Sequence, residues 1–191
     1  MDKNVIRANV VIARKKEGGD GELEAYNGTA RRIEEGEGCQ VEVKADPKPG
    51  TVFVEQGKTK LTGSRLDYTE ETGIAVIQGP IVFERPQDKG DTLRGASDKI
   101  TVDVDNEKTF LEGKVTLESK CRTSSADKVE YDDGKNLAIL FGKPAISRSK
   151  DGKDEIKGER LEYDLDSNDV VVTASGDGVS GQFDDEAPPC K

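Results

Sequence analysis

Apolar and polar residues alternate along most of this chain with a period of two. Leu66 and Tyr68 enclose Asp67, and residues 100–102 repeat the pattern as Ile-Thr-Val. Such alternation places successive side chains on opposite faces of a strand, so it predicts strands with one buried face. The helical period is absent from these segments. The sequence therefore predicts an all-β fold.

Four segments share one outline, in which a small residue opens a strand, a polar turn follows, and a second strand runs to a glycine. The segments are 63–79, 95–113, 125–142 and 158–176. Their turns, at 69–73, 105–108, 132–136 and 166–169, are rich in Asp, Asn and Gly, which suit hairpin turns. A third strand is expected at 81–83, 115–117 and 144–146. Strands and turns at this spacing predict a sandwich, barrel or roll.

The first fifty residues follow this outline less closely. Residues 9–13 and 23–28 predict a hairpin with a longer turn, and residues 31–36 form either a short helical turn or a loop. Further strands are expected at 41–43 and 52–54, on either side of a Pro-Lys-Pro-Gly turn.

The composition favours a thin body. Only 32% of the residues are hydrophobic, 36% are charged, and Trp is absent. So few apolar residues suit two sheets that each bury one face rather than a thick core. No linker divides the chain, so we expect a single domain over residues 1–180 and a flexible tail over residues 181–191.

The charge excludes one class of partner. There are 29 Lys and Arg against 39 Asp and Glu, a net charge of −10. A chain this acidic repels phosphate backbones, which argues against nucleic-acid binding. The sequence contains no apolar run of about 18 residues, so it predicts no membrane span. Residues 1–11 contain no apolar signal-peptide core, so export would require a leader outside this sequence.

Few residues suggest chemistry. The chain has no His, which removes the usual general base and metal ligand, so we predict no catalytic residue, metal or cofactor. Cys39, Cys121 and Cys190 lack the close spacing of a zinc site. One disulfide between Cys39 and Cys121 is an option in an oxidising compartment, and Cys190 is expected to be an exposed thiol in the tail.

Eight alternating apolar residues predict an inner stripe along the four units. They are Leu66, Tyr68, Ile100, Val102, Val129, Tyr131, Leu161 and Tyr163. Positions i and i+2 share a face, so Asp67, Thr101, Glu130 and Glu162 between them should face solvent. The stripe is either closed core between two sheets or the lining of a groove. The open strand edges at both ends are either covered by the termini or paired with a like-folded partner.

The units resemble the core repeat of the LptA/OstA-like lipopolysaccharide-transport family, which includes LptA, the periplasmic part of LptC and the N-terminal domain of LptD. The segments that carry the resemblance are 95–102 (GASDKITV), 110–115 (FLEGKV), 126–131 (ADKVEY) and 156–164 (IKGERLEYD). The similarity is good over residues 57–178 and loose over the first fifty residues.

The resemblance implies a β-jellyroll of two antiparallel sheets arranged as a V (a β-taco), with a groove lined by the eight stripe residues. It implies a non-enzymatic periplasmic protein that carries lipopolysaccharide or a related envelope lipid toward the outer membrane. The implied partners are LptC-like and LptD-like proteins, and copies are expected to join head to tail. The groove must be apolar because an acyl chain gains about 0.8 kcal/mol per CH₂ removed from water.

Two other interpretations compete with transport. A structural or adhesive β-repeat protein would have a filled interior and no lipid ligand. A carboxylate-based glycan enzyme would place two carboxylates about 5–10 Å apart in an aromatic cleft. Since only 5% of the residues are aromatic, the enzyme is the weakest of the three.

Overall fold

The structure is a computed structural model that describes residues 5–15, 19–33, 40–87, 91–132, 134–164, 169–173 and 179–182. The regular structure of these ranges is entirely β, which confirms the predicted fold class. The same ranges contain no helix that could cross a membrane.

Short strands lie toward both ends of the described chain, and long strands lie between them. The eight short strands at the start are β1 (Val5–Arg7), β2 (Val10–Lys15), β3 (Gly21–Tyr26), β4 (Gly28–Ile33), β5 (Gln40–Ala45), β6 (Val52–Gln56), β7 (Thr59–Gly63) and β8 (Arg65–Thr69). The six long strands are β9 (Ile74–Pro86), β10 (Thr92–Asp103), β11 (Lys108–Glu118), β12 (Arg122–Asp132), β13 (Leu137–Ser149) and β14 (Glu155–Asp164). Two more short strands follow, β15 (Val170–Thr173) and β16 (Ser180–Gln182).

Each long strand bends near its middle. The antiparallel pairing shifts register there, for example between Ser97 and Lys99 on β10 and between Glu112 and Val115 on β11. The bends divide the six strands into two arms that face each other. The first arm holds residues 74–78, 99–103, 108–112, 128–132, 137–141 and 160–164, and the second holds 81–86, 92–97, 115–118, 122–126, 145–149 and 155–158.

The short strands lengthen both arms. The first arm continues through β8, β3 and β2 on one side and through β15 on the other. The second arm continues through β7, β6 and β1 and ends at β16. Strands β4 and β5 form a separate two-stranded sheet. The expected jellyroll of two antiparallel layers is thus confirmed.

The glycines expected to close the units lie at the bends instead. Gly79, Gly113 and Gly142 fall inside β9, β11 and β13, so the second and third strands expected in each unit are two halves of one bent strand. Gly113 has a φ of +76°, and a Cβ there would lie 2.5 Å from Oδ2 of Asp98 on β10. Only glycine fits this bend without strain. Gly176 lies outside the described residues.

The N-terminal expectations are mostly confirmed. Strands β2 and β3 form the predicted hairpin, and β5 and β6 contain the two further strands. The helical turn or loop expected at 31–36 is wrong for residues 31–33, which belong to β4 and pair with β5, and residues 34–36 lie outside the described part of the chain. At the other end, β16 reaches Gln182, two residues into the range expected to be a tail, and residues 183–191 lie outside the described part of the chain.

Candidate functional site

The eight stripe residues fall into two rows across the inner face of the first arm. The deeper row pairs Leu66, Ile77, Ile100, Leu111, Val129, Leu140, Leu161 and Val172 from strand to strand. The row nearer the turns pairs Tyr68, Ala75, Val102, Thr109, Tyr131, Ala138, Tyr163 and Val170 in the same way. Seven of the eight predicted residues are buried, and Tyr68 packs against the core.

Every second member of these rows was missing from the prediction. The missing residues lie on β9, β11, β13 and β15, where apolar runs such as Leu-Ala-Ile-Leu-Phe at 137–141 hide the alternation. The register of each hairpin about its turn would have supplied them, because a residue on one strand fixes its partner on the next.

The polar residues between the stripe positions lie on the outer face, as predicted. Asp67 pairs with Arg65 at 2.6 Å, and Glu130 pairs with Lys128 at 2.8 Å, both partly exposed to solvent. Ion pairs of this kind contribute little to stability, about 0–1 kcal/mol each. Their main effect is to keep the outer face polar and so to fix which face of the arm turns inward.

The inner face of the second arm changes character along its length. One row runs through Ile6, Val54, Leu61, Phe83, Gly95, Leu117, Ser124, Ser147 and Ile156. The ring of Phe83 covers Gly95, where a Cβ would lie 2.3 Å from the ring carbons. The row is aliphatic and aromatic up to Leu117, and serines replace these residues at Ser124 and Ser147.

A cavity of about 430 Å³ lies between the arms, next to the apolar part of the row on the second arm. We call this region the open middle. Its walls are Ile100, Val102, Thr109, Leu111, Val129, Tyr131 and Ala138 from the first arm and Leu61, Phe83, Arg85, Leu93 and Leu117 from the second. Residues 56–59, Val104 and Glu107 form its mouth. The volume lies within the range of about 300–1,000 Å³ typical of small-molecule sites.

Arg85 connects the two arms at this mouth. Its Nη1 donates a hydrogen bond to Oγ1 of Thr59 at 3.2 Å, and its guanidinium carbon lies 5.0 Å from the ring centroid of Tyr131 on the opposite arm. The hydroxyl of Tyr131 donates to Oδ1 of Asn136 at 2.9 Å, which orients the ring. The cavity is apolar and its mouth is polar and partly cationic, so the site matches the apolar chain and the polar head of an amphiphile.

Beyond the cavity, in a region we call the closed end, one polar contact joins the arms and two more lie within the second arm. The hydroxyls of Ser119 and Tyr163 lie 3.3 Å apart and are buried. Ser124 donates to Oγ of Ser147 at 3.0 Å, and Nε of Arg122 donates to the same oxygen at 2.9 Å. Burial raises the pKa of Tyr163 above its usual value, so the phenol is protonated at neutral pH.

The predicted site residues therefore divide into two groups. Ile100, Val102, Val129 and Tyr131 line the cavity. Leu66, Tyr68, Leu161 and Tyr163 continue the two rows on either side of it. Sequence reasoning missed the whole second wall, including Arg85.

The cysteines and acidic residues define no further centre in the described ranges. No group of three or more His, Cys, Asp or Glu lies in position to hold a metal there. Cys121 is disulfide-bonded, and the two other cysteines, Cys39 and Cys190, lie outside the described residues.

The fold and the site together define a class: a two-armed β-jellyroll with an apolar cavity between its arms. The family model described as "LptA/(LptD N-terminal domain) LPS transport protein" matches residues 48–169, more than half of the chain. The chain belongs to this family of lipopolysaccharide transport proteins, which confirms the resemblance found in the repeat units.

A solved structure shares the fold. It is LptH, described as the LptA homologous periplasmic component of the conserved lipopolysaccharide transport device from Pseudomonas aeruginosa. The two chains are 16% identical, the match covers 70% of this chain and 90% of LptH, and the TM-score is 0.52. No curated protein matches this chain in sequence.

Proposed function

We propose that this protein carries lipopolysaccharide or a related envelope lipid through the periplasm, with acyl chains in the cleft and the polar head at its mouth. The observation that carries the proposal is the cavity of about 430 Å³ walled by aliphatic and aromatic residues of both arms. Each CH₂ that enters gains about 0.8 kcal/mol, so burial alone drives loading and no chemical step is needed. Family membership supports the cargo and the periplasmic location.

Transport over a distance requires several clefts in series. Strands β1 and β2 at one end, and β15 and β16 at the other, each pair with a single neighbour in the described part of the chain. Val11 on β2 is 47% exposed and Val171 on β15 is 59% exposed, so both first-arm edges present an apolar side chain. Such edges accept another strand. The partners proposed are a second copy, head to tail, and LptC-like and LptD-like proteins.

Photocrosslinking tests the cleft. A photoreactive residue replaces Ile100, Val102, Val129 or Tyr131 in turn, with Leu161 at the closed end and with Thr101 and Glu130 as outward controls. Purified lipopolysaccharide is then added. We expect adducts at the four cavity positions, weak or absent labelling at Leu161, and none at the two controls.

Two outcomes would overturn the proposal. Absence of labelling at every position of a folded protein would mean that the interior is closed core, and the structural or adhesive interpretation would replace transport. Labelling at Thr101 and Glu130 as strong as at the cavity positions would mean that lipid adsorbs to the surface without entering the cleft.

Edge substitutions test the head-to-tail arrangement. Val11→Lys and Val171→Lys each place a charge on an edge strand, and we expect either one to shift assemblies toward monomers in light scattering after size exclusion. Val82→Lys is the matched control, because Val82 is 61% exposed but lies on the central strand β9. An equal effect of all three variants, or no effect of the edge variants, would argue against strand addition.

A further inference from the structure

We propose that Arg85 is the specificity-determining residue of the cleft and that it holds the phosphate of an anionic amphiphile whose chain occupies the cavity. This inference rests on the proposed function, because it names the head-group chemistry that the same cleft selects.

The first argument is the position of Arg85 on its strand. Ile81, Phe83 and Arg85 occupy alternate positions of β9, and the first two are buried on the inner face. Arg85 continues this inner row at the mouth, lines the cavity and pairs in register with Leu93, another cavity residue. An apolar side chain would extend the wall at lower desolvation cost, so Arg85 is the polar exception in this inner row.

The second argument is the sign of the local charge. Three charged residues line the cavity in the described structure, Lys58, Arg85 and Glu107, which gives two positive charges against one negative. The whole chain carries a net charge of −10. Two of these three side chains are cationic although the chain as a whole is acidic, which favours an anionic head over a neutral one.

The third argument is the chemistry of the side chain. A guanidinium presents its N–H donors as a planar fork that matches phosphate oxygens in a bidentate manner. Arg85 is oriented by Thr59 on one side and by the ring of Tyr131 on the other. Its charge thus lies where the apolar cavity meets solvent, the point at which the head of a bound amphiphile must sit.

Calorimetry with two detergents of equal chain length tests this assignment. Dodecyl phosphate and dodecyl maltoside, both below their micelle concentrations, are titrated into the wild-type protein and its variants, with inorganic phosphate as a third ligand. We expect dodecyl phosphate to bind about tenfold more tightly than dodecyl maltoside, the effect of one charge-assisted contact. Inorganic phosphate alone should bind far more weakly than dodecyl phosphate.

Three variants show which residue is responsible for the preference for dodecyl phosphate. Arg85→Gln should reduce the ratio of the affinities for dodecyl phosphate and dodecyl maltoside to about one, while dodecyl maltoside still binds. Arg85→Lys should keep part of the preference, because it retains the charge without the fork, and it serves as the second variant if Arg85→Gln does not fold. Arg94→Gln is the control, since Arg94 is exposed on the neighbouring strand and does not line the cavity.

The outcomes separate this inference from the proposed function. If both detergents bind and Arg85→Gln leaves their ratio unchanged, the assignment of Arg85 is overturned while the apolar cleft stands. Loss of the preference in Arg94→Gln, or equal affinities for inorganic phosphate and dodecyl phosphate, would overturn it in the same way. If neither detergent binds the folded wild type, the inference and the proposed function fail together.

Discussion

The open middle and the closed end are built from the same repeat, yet they differ in what separates the arms. The first arm presents the same two rows in both regions, with Ile100 and Val102 in the middle and Leu161 and Tyr163 at the end. The difference lies in the second arm. Large apolar side chains face the first arm in the middle, and mostly small residues, with Ile156 as the exception, face it at the end.

Small residues allow the arms to come together. Ala126, Ala145 and Ser147 are buried on the second arm of the closed end, so the side chains of the first arm fill the space between the sheets. The contact between the hydroxyls of Ser119 and Tyr163 then joins the two arms. One face of the repeat therefore sets the direction of the cleft, while the opposite face decides where it is open.

Truncation of matched leucines should show the largest difference between the two regions. Leu161 and Leu111 share a row and are both buried, but only Leu111 lines the cavity. Leu161→Ala should cost about 4 kcal/mol and Leu111→Ala about 2 kcal/mol, because a side chain that already borders a cavity has fewer contacts to lose. Urea unfolding of both variants measures the difference. Equal costs would show that the two regions are packed alike.

Loss of a buried hydroxyl should have an intermediate effect. Ser147→Ala removes the oxygen that accepts hydrogen bonds from Arg122 and Ser124, so it leaves one buried and one partly buried donor without this partner. The expected cost is about 2 kcal/mol, again measured by urea unfolding. The control is Ser125→Ala on the outer face, which should be close to neutral. A neutral Ser147→Ala would mean that these hydrogen bonds do not stabilise the second arm at the closed end.

The smallest effect should come from the hydroxyl pair between the arms. Tyr163→Phe removes one hydrogen bond to Ser119 and should cost about 1 kcal/mol. Because burial raises the pKa of Tyr163 in the folded state, wild-type stability should fall as the pH rises above the ordinary tyrosine pKa of about 10. Thermal unfolding against pH measures both, and this alkaline loss should be smaller in Tyr163→Phe.

The same variant connects stability with access to the cleft. A photoreactive residue at Leu161 should label lipid more strongly in the Tyr163→Phe background than in the wild type. Unchanged labelling at Leu161, with the four cavity positions still reactive, would show that packing rather than this hydroxyl pair closes the end.

Local sequence pattern was enough to predict most of the strands, the turns and half of each inner row of the first arm. Alternation with a period of two is a local property. Each of four short segments shows it: Leu66–Tyr68, Ile100–Val102, Val129–Tyr131 and Leu161–Tyr163. The same local repeat was enough to indicate the family. Each of these features depends on residues a few positions apart, so no knowledge of the partner sheet was needed.

Only the tertiary structure decided how each strand is divided between the arms. On β10 the inward positions change from Leu93 and Ser97 to Ile100 and Val102, so the alternation slips by one residue at the bend. The sequence therefore suggests separate short strands where one strand changes arms.

The cleft itself is a long-range feature. Arg85 and Tyr131 meet across its mouth, and Ser119 and Tyr163 meet at its closed end, although each pair is far apart in the sequence. A local pattern tells which side chains turn inward, but the distance between facing sheets depends on the summed sizes of residues from both. The position of the cavity was therefore fixed by packing between the arms, which no single segment of the sequence contains.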